Sequence, residues 1–176
     1  VPATIVLGVI SPNRLAEAQA ENFSAVQTGG LFIQTCVRFS GDKDGLRQFL
    51  ADKHMPVMNS AGSGYFLDDG RSGVVYDASN RSGRLAVVSH DDGSCTATSE
   101  SADGDTAVGA VESFLRDSHI AFKLTGDHPN AHATAVRERS FDASFGPRRW
   151  QLVLGTSSAP RRMHAIFTAS PPSRSN

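Results

Sequence analysis

The chain has few of the residues that announce a particular chemistry. Cys36 and Cys95 are its only cysteines, and neither stands in a C-x-x-C pair. That argues against a thioredoxin-like redox motif and against a zinc site built on paired cysteines. Neither charge is in excess: 17 basic against 18 acidic residues leave a formal net charge of −1. No long-range field therefore draws in nucleic acid or an anionic membrane surface, and nucleic acid is not an expected partner. Long apolar runs are missing as well. The longest, residues 3–10, is interrupted by Thr4 and Gly8 and falls far short of the ~20 residues of a membrane span. Neither G-x-S-x-G nor a phosphate-binding G-K-[ST] loop occurs, which removes the nucleophile elbow and the P-loop from consideration.

The composition that remains is that of a folded domain. Hydrophobic residues make up 39% of the 176 positions and charged residues 20%, too apolar for wholesale disorder and long enough to bury a core. Sixteen glycines and eight prolines point to a chain much punctuated by turns.

At the N-terminus the apolar block is followed by Ser11-Pro12 and then by Ala18-Gln19-Ala20. An apolar core, a helix breaker and a small-x-small site are the last two parts of a secretory signal, so residues 1–20 are expected to be a signal remnant and the protein to be periplasmic. The alternative is a buried first strand over residues 4–10 leading into a polar helix over residues 13–20. In an oxidising compartment the simplest fate of two widely separated cysteines is one bridge, closing a loop of about 60 residues worth on the order of 4 kcal/mol. In a reducing compartment they would be two buried free thiols.

Periodicity then divides the chain. Phe23, Val26, Leu31, Phe32 and Val37 mark helical sequence, with Gly29-Gly30 predicting a break and a fresh start near Leu31. Leu46, Phe49 and Leu50 fall on one face of a short helix, ended near His54 by the approach of Pro56. Residues 56–73 read as loop. Strands are predicted over residues 74–78, 84–89 and 94–99, with turns at Asn80-Arg81-Ser82-Gly83 and His90-Asp91-Asp92-Gly93. Asp103 opens the clearest helix, whose stripe is Ala107, Val108, Val111, Phe114 and Leu115. Four more strands follow, over residues 120–124, 131–141, 149–155 and 161–169. The fold class is α+β: an antiparallel sheet of about six or seven strands with two or three helices packed on one face. One domain, residues 21–169, and a disordered tail, residues 170–176, complete the division.

Candidate chemistry is sparse. His128 and His132 with Asp127 have the spacing of a helical metal pair, but Pro129 and Asn130 between them predict a solvent-facing loop instead. His90-Asp91-Asp92 reads as the start of a turn, since adjacent strand residues face opposite ways. Ser60, Ser63 and Ser94 have no nucleophile motif around them. Asp68-Asp69-Gly70 and Asp103-Gly104-Asp105 lack the twelve-residue calcium loop. Neither a cofactor nor a metal is expected. Arg137, Arg139, Arg148, Arg149, Arg161 and Arg162 cluster late in the chain. On neighbouring strands they would form either a solvated edge that discourages strand pairing or a patch for an acidic protein partner.

Thr35-Cys36-Val37, Gly41-Asp42 with Leu46-Arg47, residues 75–80 and Asp91-Asp92-Gly93-Ser94-Cys95 resemble a family of small exported proteins and lipoproteins of proteobacteria. The resemblance spans about residues 31–120. It implies an envelope location and a Cys36–Cys95 pair, and it brings no catalytic residues with it. Some members look like immunity proteins for secreted antibacterial toxins. The chain departs from the lipoprotein members in having no cysteine at the small-x-small site. The expected function is therefore a periplasmic protein-binding module, in one form an immunity protein. The alternative is a small envelope hydrolase with dispersed Ser, His and Asp residues and His90 or His132 as base.

Overall fold

The computed structural model describes residues 12–67, 71–81, 83–130, 133–157 and 163–172. Residues 3–10, and with them both readings of the apolar block, lie outside the described residues, as do His132, Arg161, Arg162 and residues 173–176. Ala18-Gln19-Ala20 falls within the first helix.

That helix, α1, runs Pro12–Phe32 and passes directly into a π-helical segment, Ile33–Val37. Helix α2 spans Lys43–Asp52, the single turn α3 Ser60–Ser63 and helix α4 Gly104–Asp117. The strands are β1 Gly73–Asp77, β2 Leu85–His90, β3 Cys95–Ser99, β4 Ala121–Asn130, β5 Ala133–Phe145, β6 Arg148–Ser157 and β7 Ala165–Ser170. They form one seven-stranded sheet in the order β1-β2-β3-β7-β6-β5-β4, and every neighbouring pair is antiparallel. The last strand thus enters the middle of the sheet and joins two meanders, β1-β2-β3 and β4-β5-β6.

Alternation along the strands builds the core. Val87, Ala97, Phe167, Leu154, Leu152 and Phe141 point to one face and are all at most 2% exposed. They meet Phe32 of α1, Leu46 and Leu50 of α2, and Val108, Val111 and Leu115 of α4 in a single cluster. Fully burying such a side chain stabilises by about 1.5–3 kcal/mol. On the opposite face, Met58, Phe66 and Leu67 from the α2–β1 connection pack on Val75, Ala86 and Val88. The α+β architecture, with helices on one face of an antiparallel sheet, is as the sequence predicts.

Three local expectations are corrected. Helix α1 does not break at Gly29-Gly30. A Cβ on Gly29 would lie 3.1 Å from the Ala110 Cβ and 3.3 Å from the Val111 nitrogen, so the bare glycine lets α1 and α4 approach closely. The helix tolerates it because the packing gain offsets a propensity cost of about 1 kcal/mol. Residues 56–73 are not all loop: they hold α3, and Val57 forms a bridge with Tyr76 that lies along the outer edge of β1. His128, Pro129 and Asn130 belong to β4 rather than to a loop, because β4 and β5 continue pairing to the Asn130–Ala133 end of their hairpin. Pro129 fits there since β4 is an edge strand.

The cysteines form a disulfide, Cys36–Cys95, with a Cα–Cα distance of 4.9 Å. It ties the π-helical segment to β3 in the middle of the core.

Candidate binding site at the tip of the sheet

Of the two histidines offered as a base, His132 lies outside the described residues, and His90 does not stand in a catalytic setting. His90 closes β2 and is 2% exposed. Its Nε2 lies 3.2 Å from the Thr96 hydroxyl, which in turn lies 3.0 Å from the Thr168 hydroxyl, while Nδ1 is buried without a partner. Burial holds the imidazole below its usual pKa, with the Arg71 guanidinium acting in the same direction and Asp92 and Asp91 opposing. Neither a serine nor a carboxylate orients the ring, so a nucleophile–base–acid chain is not assembled on it. Asp91 and Asp92 serve the hairpin instead. Arg47 of α2 donates to the Asp91 carboxylate at 2.6 Å and to the Ser89 carbonyl at 3.1 Å, and Asp92 accepts from the Ser94 amide and hydroxyl. His128 is exposed on β4, and Asp127 is engaged by arginines. Among the described residues, no group of three or more His, Cys, Asp or Glu is placed to hold a metal.

The four late arginines among the described residues, Arg137, Arg139, Arg148 and Arg149, do not converge. Arg137 and Arg139 sit near the start of β5, whereas Arg148 and Arg149 pair with its last residues, Phe145 and Ser144. Eight strand residues, roughly 27 Å, separate the two ends. Arg137 grips Asp127 with two bonds of 2.6 and 2.7 Å, and Arg139 reaches Asp105 in the first turn of α4. The Arg137 hydrogen bonds, more than any other influence, hold the Asp127 carboxyl below its usual pKa. Arg137 thus ties β5 to β4, and Arg139 braces that hairpin against α4. Arg148 and Arg149, adjacent on a strand, emerge on opposite faces.

Each of the latter two borders a depression, and both depressions flank the β5–β6 turn. That turn is Gly146-Pro147, with Gly146 at φ 56°. Proline cannot take a positive φ, so glycine must supply it at the first central position, as in a type II′ hairpin. On the helix-free face, Lys123, Asp142, Ser144, Arg149 and Gln151 line a shallow basin of about 530 Å³. On the helix face, Ile33, Val37, Ile120, Phe145 and Trp150 form the floor and walls of a cleft of about 290 Å³. Arg38 and Arg148 stand at its rim, with no acidic residue among its lining. The Arg148 guanidinium donates to the Arg38 carbonyl at 2.8 Å and lies 5.3 Å from the Trp150 ring. Arg38 is stacked in turn on Phe39 and Phe49, at 5.1 and 5.4 Å. Phe145 remains 54% exposed.

Between the two depressions runs the outer edge of β4. The opposite edge of the sheet is bridged by residues 56–58: the Met58 amide bonds the Val75 carbonyl, and the Asp77 amide the Pro56 carbonyl. Among the described residues, β4 pairs on one side only. Its first four residues keep unbroken register with β5, ahead of an irregularity between Leu124 and Gly126. Leu124 is 50% exposed on the helix face, and Lys123 is exposed on the other.

Of the sequence-predicted site residues, Arg148 and Arg149 reach this tip. Phe145, Trp150, Lys123 and the π-helical residues Ile33 and Val37 went unnoticed. Gly146-Pro147 after a strand ending in Phe145 was the available signal for the hairpin; nothing in residues 33–37 announces a π-helix. Compared with known proteins, the chain matches no family model, no curated protein and no solved structure.

Proposed function

We propose that the protein is a periplasmic protein-binding module whose partner adds an extended segment to the outer edge of β4. The observation that carries this is the asymmetry of the two sheet edges among the described residues: one is bridged, while the other leaves Ala121–Leu124 regular and without a second strand. Main-chain groups of an unpaired edge strand give affinity to an incoming strand, and side chains on alternate sides give selectivity. Here the incoming segment would lay an apolar side chain beside Leu124 and an acidic one beside Lys123 and toward Arg149. Charge of that kind steers the encounter and fixes register more than it adds affinity. The irregularity at Thr125, with Pro129 beyond it, limits pairing to the first half of the strand. The disulfide and the absence, among the described residues, of a helix long and apolar enough to cross a membrane are compatible with the periplasm. The resemblance to immunity proteins would make the partner a secreted antibacterial toxin.

The test is site-specific photocrosslinking in a bacterial host, with the crosslinker at Leu124 and, as control, at exposed Ser113 on α4. A single envelope or co-expressed toxin protein captured from Leu124 alone, and lost in Lys123→Glu/Arg149→Glu, is the expected result. Equal capture from both positions, or none from either, would refute the edge-docking reading. A hydrolase reading finds no support in the geometry of His90.

A further inference from the structure

The cleft on the helix face has a different character from the strand edge beside it. Its floor comes from three separate elements: Ile33 and Val37 from the π-helical segment, Ile120 from the α4–β4 junction, and Phe145 and Trp150 from the β5–β6 hairpin. The extra residue per turn of a π-helix disturbs the regular ladder, and such segments occur frequently at functional sites. Here the segment is fixed from behind by the disulfide through Cys36, which leaves Ile33 and Val37 turned to the cleft. Among the described residues, the rim carries two guanidinium groups and no carboxylate, whereas the basin on the other face mixes Lys123 and Arg149 with Asp142. Arg148 spends one donor on the Arg38 carbonyl and keeps others for a ligand, since a guanidinium has five N–H groups.

An apolar cleft with cations at its mouth suits a hydrocarbon chain that ends in an anion. At roughly 30 Å³ for each water-sized group, there is room for about ten heavy atoms, enough for the nine tail carbons of a ten-carbon acid whose carboxylate stays at the rim. We propose that this cleft binds a free medium-chain fatty carboxylate, its chain against Ile33, Val37, Ile120 and Trp150 and its carboxylate on Arg38 and Arg148. A longer acyl chain would overrun the volume, and a polar ligand would leave the floor unfilled. The site is separate from the outer edge of β4, so the two can be tested apart.

Trp150 is the single tryptophan of the chain, and it lines the cleft. It also borders the basin on the other face, so its fluorescence reports binding and the Arg38→Gln/Arg148→Gln variant assigns that binding to the cleft. The full chain is titrated with decanoate below its micelle concentration, with octanoate and decyltrimethylammonium in parallel and far-UV circular dichroism as a check on the fold. The expected result is a saturable change with decanoate and affinity that falls up to about fifteenfold for octanoate, about fourfold for each methylene removed. Decyltrimethylammonium should bind at least tenfold more weakly. In Arg38→Gln/Arg148→Gln, both of whose side chains are exposed, decanoate should lose at least tenfold in affinity while the ammonium does not. No saturable change, equal binding of the two headgroups, or unaltered affinity in the double variant overturns the proposal. Saturable binding of an acidic peptide with none of decanoate also overturns it, by giving the cleft to a protein segment. Loss of capture at Leu124 leaves this result untouched.

Discussion

Replacing both cysteines with alanine should remove a large part of the protein's stability. Cys36 and Cys95 are 59 residues apart in sequence and at most 1% exposed. Closing a loop of that length lowers the entropy of the unfolded chain by an amount worth about 4 kcal/mol at 25 °C. Set against the ~5–15 kcal/mol of a typical domain, that is the difference between a comfortable margin and a slight one. The measurement is equilibrium urea unfolding of the wild type and of Cys36→Ala/Cys95→Ala, followed by circular dichroism and by Trp150 fluorescence. With a slope of about 2 kcal/mol per molar urea, the midpoint should fall by about 2 M, and the slope should rise because the uncrosslinked chain exposes more surface. Reduced wild type should unfold close to the double variant. A midpoint shift below about 0.3 M, with both probes coincident, would show that the unfolded chain gains little freedom without the bridge. The reasoning from loop length would then be wrong.

Two further outcomes follow from the packing and from His90. The adjacent glycines of α1 should respond with opposite signs: Gly29→Val, forced against Ala110 and the α4 backbone, should cost about 1–3 kcal/mol, whereas Gly30→Ala, whose Cβ meets only the Phe114 ring at 3.6 Å, should gain up to about 1 kcal/mol in helix propensity. Urea midpoints that move the same way for both would show that α1 and α4 can slide apart. Because burial depresses the His90 pKa in the folded state, the unfolded chain takes up that proton first as the pH falls. The contribution is complete above the unfolded value of about 6.5 and is lost progressively below it. Unfolding free energy measured between pH 7 and 5 should therefore decline in the wild type and decline less in His90→Gln. Parallel curves would sink the assignment. Carboxylates such as Asp127, held low by Arg137, lose their contribution only at a lower pH.

The sequence by itself determined the class of the fold and most of its elements. Alternation in residues 74–99 and 149–155, the stripe from Ala107 to Leu115 and the capping aspartate Asp103 are local signals. They act within one strand or one turn, so they can be recognised without knowing the partner. The two cysteines fixed the choice of bridge, because only one intramolecular pair is possible between them. What the tertiary structure decided was everything that depends on two distant segments meeting. Gly29 looks like a helix breaker until Ala110 is placed against it. His128 and Pro129 look like a turn until β5 pairs with them. The late arginines look like one patch until strand register sends Arg137 to β4 and Arg139 to α4 and separates Arg148 from Arg149 by the thickness of the sheet. The cleft has no local signature at all. Its walls are contributed by residues 33–37, 120 and 145–150, and the space between them exists only because three elements end at the same place.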